Sequence, residues 1–148
     1  MAIYYSDRVN EEGTQNIKGG LGLIIDNCTV SVGTALVNND RIKLFTLPKG
    51  SRVLGLQVQG VGVQSGTDSL FSIGDEADPD RFQTGVINLR SNSLDTYIYL
   101  IPSEKTATTG IFNEYEEDTD VELKITTAGT GMTTGGKINA VIYYFRAE

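Results

Sequence analysis

Apolar and polar residues alternate along much of this chain. The segment VELKIT at 121–126 has an apolar residue at each odd position and a polar residue at each even position, which is typical of a strand with one buried and one exposed face. The same alternation places Ile42, Leu44 and Thr46 on one face of segment 41–47. The residues that we expect to face the core in the clearest strands are Leu54, Leu56, Val58, Val121, Leu123, Ile125, Ile138, Ala140 and Ile142.

Strand-like segments recur at short intervals from Thr29 to the end of the chain. The turn PKGS at 48–51 combines a proline, which fixes φ, with a glycine, which permits a positive φ, so it separates two strands. No segment shows a convincing helical period. The pattern predicts an all-β fold, an antiparallel β-sandwich of jelly-roll type. The predicted strands cover residues 29–37, 41–47, 52–63, 69–73, 84–89, 96–101, 110–115, 121–126 and 137–145.

The first 28 residues follow neither a strand period nor a helix period. Four glycines, at positions 13, 19, 20 and 22, interrupt them. We therefore divide the chain into an extended N-terminal arm at 1–28 and a β-sandwich domain at 29–148. Because the arm lacks the periodicity to fold alone, we expect it to leave its own sandwich and pack on a neighbouring chain. Its apolar anchors, which are our candidates for assembly contacts, are Ile3, Tyr4, Tyr5, Leu21, Leu23 and Ile24.

The chain is strongly acidic, with a formal net charge of −7 at pH 7. This charge argues against nucleic-acid binding, which depends on basic groups that neutralise phosphates. Nine of the 19 acidic residues lie in two short stretches, GDEADPD at 74–80 and EYEEDTD at 114–120. The second stretch is typical of a solvated rim or of a surface that meets basic groups on a partner.

The first acidic stretch raises the question of a metal site. Asp75, Asp78 and Asp80 offer the oxygen ligands that Ca²⁺ prefers. The loop lacks the glycine and the closing glutamate of an EF-hand, however. We therefore predict a solvated acidic loop with no bound metal.

The residue types needed for most enzyme mechanisms are missing. The chain has no histidine, which removes Ser-His-Asp and Cys-His nucleophiles and imidazole metal sites. The single cysteine, Cys28, lies in an apolar segment, and we expect it to be buried and unreactive. A carboxylate pair for glycoside hydrolysis stays open, although the chain has no Trp to form a sugar platform. We predict a protein that is not an enzyme and needs no cofactor.

The chain has no apolar segment typical of a signal peptide or of a transmembrane helix. We therefore expect a soluble protein, made inside the cell, without a membrane partner.

Three segments carry a family resemblance: ALVNNDRIKLFTLPKGSRVLGLQV at 35–58, SIGDEADPDRF at 72–82 and AGTGMTTGGKINAVIYYF at 128–145. Together they resemble small β-sandwich virion proteins of tailed bacteriophages, the capsid decoration or cement proteins. The resemblance covers most of 29–148 and does not extend to the arm. It implies a protein that is made in the host cytoplasm, coats the outer surface of the capsid and stabilises it by binding the major capsid protein. It also implies a homo-oligomer, commonly a trimer.

A second function stays open from the sequence. Related sandwiches also occur in head fibres, in head-to-tail joining proteins and in tail components. The alternative is therefore a lectin-like or head-fibre or tail-associated module that attaches to host-surface carbohydrate. The absence of Trp counts against this alternative, and glycan binding by the purified protein would favour it.

Overall fold

The computed structural model describes residues 1–6, 17–18, 22–31, 36–61, 69–88, 96–100, 113–129 and 136–146, with the backbone alone at 17–18, 83–88 and 96–100. These residues form ten strands and no helix. The strands are β1 (Ile3–Tyr5), β2 (Ile17–Lys18), β3 (Leu23–Ser31), β4 (Arg41–Leu47), β5 (Ser51–Val61), β6 (Leu70–Gly74), β7 (Gln83–Asn88), β8 (Thr96–Leu100), β9 (Thr119–Thr127) and β10 (Lys137–Arg146).

The strands form two five-stranded sheets that pack together. Sheet A has the order β1-β4-β9-β6-β7, and sheet B has the order β2-β3-β10-β5-β8. Every pairing is antiparallel except that of β1 with β4, which is parallel. The prediction of an all-β antiparallel sandwich is confirmed, whereas the jelly-roll type stays a prediction.

The predicted turn at 48–51 is present, but it does not form a hairpin. Ser51 N donates to Pro48 O over 3.2 Å, and Gly50 has a φ of 84°. The strands on its two sides, β4 and β5, belong to different sheets. The turn therefore carries the chain from one layer of the sandwich to the other.

The core lies between the inner faces of the two sheets. All of the nine predicted core residues except Leu54 are at most 2% exposed, and Cys28 is buried as predicted. The largest fully buried side chains are Tyr144, Phe45, Phe71, Phe82, Ile42, Leu44, Leu47, Leu56, Ile73, Leu123 and Ile125.

A β-bulge in β5 explains why the prediction for Leu54 is wrong. Tyr143 of β10 lies opposite Gly55 of β5. The next residue, Tyr144, lies opposite Val53, so Leu54 has no partner. An extra residue of this kind reverses the faces of the strand beyond it. Val53 is therefore fully buried, and Leu54 is only half-buried.

A second bulge changes the alternation in β4. The register with β9 shifts between Lys43 and Phe45, which leaves Leu44 as the extra residue. Phe45 is consequently 1% exposed, and Thr46, which we predicted on the same face as Ile42 and Leu44, is exposed. The predicted alternation is thus correct before the bulge and wrong after it.

The described parts of the predicted arm are strands of the sandwich. β1 pairs with β4 of the same chain. β3 begins at Leu23 and pairs with β10 over its whole length, so the boundary that we predicted at residue 28 lies inside β3. The inner face of β3 includes the buried Asp26 between Ile24 and Cys28, and this carboxylate hides the apolar alternation in the sequence. Packing of the arm on a neighbouring chain stays a prediction, and Leu21 lies outside the described residues.

Two of the predicted strands differ from the structure by more than the shifts of one or two residues seen at the ends of the others. The one predicted at 29–37 corresponds to β3, which ends at Ser31, and the described residues 36–40 form a loop. Of the one predicted at 110–115, only 113–115 are described, and they are not a strand. Tyr115 bonds instead to the turn before β5, because Gly50 N donates to its carbonyl over 2.8 Å.

Two leucines of β5 provide a test of the bulge. Leu56→Ala should lower the free energy of unfolding by about 2–5 kcal/mol, because this side chain is fully buried. Leu54→Ala should cost clearly less, because Leu54 is only half-buried. Urea denaturation of both variants measures the difference. Equal losses, or a larger loss for Leu54→Ala, would contradict the observed register.

Candidate assembly surface

The predicted assembly residues that the structure describes do not share one surface. Ile3 and Tyr5 lie on one side of β1 and are 38% and 46% exposed. Tyr4 points to the other side and packs against the core. Leu23 is half-buried, and Ile24 is 3% exposed within the core of its own chain. Ile3 and Tyr5 therefore remain the most accessible candidates, whereas Ile24 has its partners inside the sandwich.

An apolar patch covers one end of the outer face of sheet B. The register places Ile25 opposite Tyr143 and Leu23 opposite Phe145. Ile25 and Phe145 are each 41% exposed. We call these four residues the sheet B patch. Gly22 lies beside this patch. Its φ of 79° favours glycine, and a Cβ at this position would lie only 3.3 Å from the ring of Phe145.

The other end of the same face is polar. Thr29 Oγ1 donates to Asn139 Oδ1 over 3.0 Å, and Asn139 Nδ2 donates to Gln59 Oε1 over 3.3 Å. These three residues belong to β3, β10 and β5, so the bonds cross the sheet. The outer face of sheet B therefore changes from apolar to polar along its strands.

The two acidic stretches, which are far apart in the sequence, line one open cleft of about 890 Å³. We call it the acidic cleft. Its lining includes seven acidic residues and a single basic one. The lining residues are Asp75, Glu76, Ala77, Arg81, Asn113, Glu114, Tyr115, Glu116, Glu117, Asp118, Thr119 and Asp120.

A buried carboxylate holds the two sides of the cleft together. Asp75 is 1% exposed, so the prediction of a solvated acidic loop is wrong for this residue, although Glu76 and Ala77 are exposed. Its Oδ2 accepts hydrogen bonds from Arg81 Nε and, over 2.9 Å, from Tyr115 Oη. Its Oδ1 accepts a hydrogen bond from Asp78 N over 2.8 Å. With its oxygens occupied in this way, Asp75 ties the loop after β6 to the segment before β9.

The loop after β6 closes tightly on itself. Asp75 N donates to Asp78 O over 3.0 Å, and Phe82 N donates to Ile73 O over 3.0 Å. A Cβ at Gly74 would lie 2.1 Å from Asp78 O, so only glycine fits at this position. The glycine of the GDEADPD stretch thus allows the loop to close over Asp75.

Asp75, Arg81 and Tyr115 form a hydrogen-bonded group, which we call the Asp75 cluster. Tyr115 is its uncharged member. Burial raises the pKa of Tyr115 well above its usual value of about 10, and the charge of Asp75 and the hydrogen bond to it raise this pKa further. The phenol therefore stays protonated and remains a hydrogen-bond donor to Asp75.

The outer face of sheet A carries a second buried charge. Glu122 is fully buried although its position in the alternation points away from the core. Arg41 reaches it from β4 through two parallel hydrogen bonds, each 2.7 Å long, from Nε and Nη2. Arg41 Nη1 also lies 3.6 Å from the exposed carboxylate of Glu76 at the cleft. The hydrogen bond to Glu122 raises the pKa of Arg41 in spite of its desolvation.

A second and more exposed ion pair, Lys43 with Asp120, lies beside the pair of Arg41 and Glu122. Lys43 Nζ donates to Asp120 Oδ2 over 2.7 Å, and Thr46 Oγ1 donates to the other oxygen of the same carboxylate over 2.7 Å. Lys43 Nζ also lies 5.8 Å from the ring centre of Tyr5 on β1. The charges on this face thus connect the edge strand β1 with the rim of the acidic cleft.

Neither metal-ligating clusters nor membrane-spanning helices are found in the part of the chain that the structure describes. No group of three or more Cys, Asp or Glu side chains there has an arrangement that could hold a metal ion. No helix among these residues is long and apolar enough to cross a membrane.

Removal of the Tyr115 hydroxyl tests the Asp75 cluster. Tyr115→Phe should lower the free energy of unfolding near neutral pH by about 1–3 kcal/mol, because a buried carboxylate loses a donor. Because the pKa of Tyr115 is raised in the folded state, its contribution is present below pH 10 and is lost as the pH rises further. Above pH 10 the wild type should therefore lose up to about 1.4 kcal/mol per pH unit more than the variant.

Urea denaturation at a series of pH values measures this difference. Tyr143→Phe, on the outer face of sheet B, is the control and should parallel the wild type. Parallel curves for Tyr115→Phe and the wild type above pH 10 would contradict the assignment.

Two arginines distinguish a buried ion pair from an exposed one. Arg41→Ala should cost about 3–5 kcal/mol, because Glu122 would be left as an unpaired buried charge. Arg52→Ala removes a pair with Glu114 in which both side chains are nearly half exposed, and it should cost less than about 1 kcal/mol. Denaturant unfolding of both variants provides the comparison. A small loss for Arg41→Ala would show that water reaches Glu122.

Neither a protein-family model nor a curated protein matches this sequence. The fold, however, is similar to that of solved structures. A chain in the structure of the capsid of Ralstonia phage GP4 has a TM-score of 0.72 and 14% sequence identity, over 99% of this chain and 99% of that one. A chain in the capsid asymmetric unit of cyanophage Pam1 has a TM-score of 0.68 and 14% identity, over 95% and 97% of the two chains. At this identity the likeness is one of fold, and it extends over nearly the full length of each chain.

Proposed function

We propose that this protein is a structural component of a tailed-bacteriophage virion, which binds the outer surface of the capsid and stabilises the lattice of the major capsid protein. The observation that carries the proposal is the similarity of fold, over almost the whole chain, to chains in two phage capsids. The sequence resemblance to capsid decoration proteins supports the same function independently, because it rests on the motifs at 35–58, 72–82 and 128–145.

The distribution of surface chemistry supports a role in bridging subunits. A protein that clamps a lattice needs separate surfaces for separate neighbours. The acidic cleft lies on loops of the sandwich, the sheet B patch on the outer face of one sheet, and Ile3 and Tyr5 on the edge strand of the other. The cleft has the charge to complement a basic surface, and the two apolar regions have the character of interface centres.

The buried polar groups support a structural role. Asp75 and Glu122 are each paired with an arginine inside the protein, so their charges are compensated within the fold. We propose that the protein acts by contact alone, without a catalysed reaction, and that it assembles as a homotrimer in keeping with the family resemblance.

The decisive experiment is to locate the protein on particles. Virions of the phage that encodes this chain should contain it, and particles lacking it should regain it when the purified protein is added. Cryo-electron microscopy should then show added density on the outer surface at symmetry-related positions. Density confined to the tail or to fibres, or specific binding to host glycans without binding to capsids, would favour the carbohydrate-binding alternative instead.

Substitution of exposed apolar residues by glutamate tests which surfaces contact the capsid. Ile3→Glu with Tyr5→Glu, and separately Ile25→Glu with Phe145→Glu, should reduce capsid binding at least tenfold where the altered surface is a contact. All four side chains are exposed, so circular dichroism should remain that of the wild type. Thr126→Glu with Thr127→Glu, at two exposed positions on β9, is the matched control for added negative charge. Unchanged binding by both double variants would remove these surfaces from the proposal.

A further inference from the structure

The hydrogen bonds between β1 and β4 show which backbone groups of β1 face its neighbour. Arg41 N donates to Ala2 O over 3.0 Å at one end of the strand, and Ser6 N donates to Lys43 O over 2.9 Å at the other. The register places Ile3 opposite Arg41. In a parallel ladder of this register, the bonds to the neighbouring strand are made by the even positions of residues 2–6.

The odd positions of β1 therefore face the open side of sheet A. The backbone N–H and C=O groups of Ile3 and Tyr5 point away from β4, because successive residues of a strand direct these groups to opposite edges. β4 is the one strand beside β1 among the described residues. None of the described residues bonds to the N–H or C=O group of Ile3 or Tyr5.

This edge lacks the usual protection against a further strand. Natural edge strands are protected by charged residues, proline or bulges, or they are covered by other segments. β1 has the sequence IYY, with neither a charge nor a proline. The side chains of Ile3 and Tyr5 are 38% and 46% exposed, whereas Tyr4 packs against the core. The backbone and the side chains of the odd positions are thus open to the same neighbour.

We propose that an extended segment of the major capsid protein adds to sheet A as a strand beside β1. Its main chain would form hydrogen bonds with the N–H and C=O groups of Ile3 and Tyr5, which is recognition by β-strand addition. Its apolar side chains would pack on Ile3 and Tyr5, since cross-strand pairs of aromatic and β-branched residues are favourable. This inference rests on the proposed function, and it names the contact that β1 makes.

The size of the edge indicates the kind of partner. Ile3 and Tyr5 offer one N–H and one C=O group each, which are too few to hold two proteins together by themselves. They suit one contact among several, and the sheet B patch and the acidic cleft offer further contacts to a capsid. A second copy is less suitable, because two β1 strands paired across a two-fold axis give a dimer and not the homotrimer that we propose.

Proline substitutions separate backbone recognition from side-chain contact. Ile3→Pro with Tyr5→Pro removes the two N–H donors on the open side and keeps the donors that face β4. Ile3→Ala with Tyr5→Ala is the matched control, because it removes the side chains but keeps these donors. The proline variant should bind particles that lack the protein at least about tenfold more weakly than the alanine variant. Equal binding by the two variants would overturn the proposal, whereas failure of the wild type to bind would contradict the proposed function instead.

Hydrogen exchange tests the same groups in the unaltered chain, so it does not depend on the folding of the proline variant. In the free protein, the amide hydrogens of Ile3 and Tyr5 should exchange fast, whereas that of Ser6 should be protected by its bond to β4. On the particle, exchange at Ile3 and Tyr5 should slow at least about tenfold, as measured by mass spectrometry with fragmentation after quenching. Protection of these two amides already in the free protein, or unchanged exchange on the particle, would overturn the proposal.

Discussion

Burial of the two inner sheet faces against each other is the constraint on which the rest of this structure depends. β9 and β10 occupy the centres of their sheets, and each has a hydrogen-bonded strand on both sides. Their inner side chains belong to one continuous apolar cluster. Each fully buried aliphatic side chain contributes about 1.5–3 kcal/mol. The two bulges, at Leu44 and Leu54, let long strands keep their large side chains in this cluster while the strands bend.

Charged groups hold the loops and edges around this core. Asp75, Arg81 and Tyr115 join the loop after β6 to the segment before β9. The pair of Arg41 and Glu122 joins β4 to β9 on the outer face of sheet A. Because a buried charge is tolerated only with a well-placed partner, these contacts determine where the loops lie. The acidic cleft is the consequence, since its walls are the two loops that Asp75 connects.

The proposed role in a capsid rests on the similarity of fold, and a body with several different contact surfaces is suited to it. The sheet B patch is apolar, the acidic cleft carries seven acidic residues, and the edge strand β1 presents Ile3 and Tyr5.

The sequence by itself determined the fold class and most of the core, because alternation of polarity along a strand is a local property. It identified β4, β9 and β10 closely, and eight of the inward-facing residues, from the apolar residues that recur at every second position. It also singled out both acidic stretches and the PKGS turn. The same alternation accounts for the outward orientation of Tyr143 and Phe145, because they lie on the face of β10 opposite to Ile142.

Only the tertiary structure decided which segments meet. Bulges depend on the partner strand, so Leu54 and Thr46 could not be placed from their own segments. The strand β3 was hidden by glycines and by Asp26, and its length comes from pairing with β10. The burial of Asp75 and Glu122 required arginines that are brought close by the fold. Local alternation reports which side of a strand is apolar, whereas the neighbours of each side chain are fixed by contacts between residues far apart in the chain.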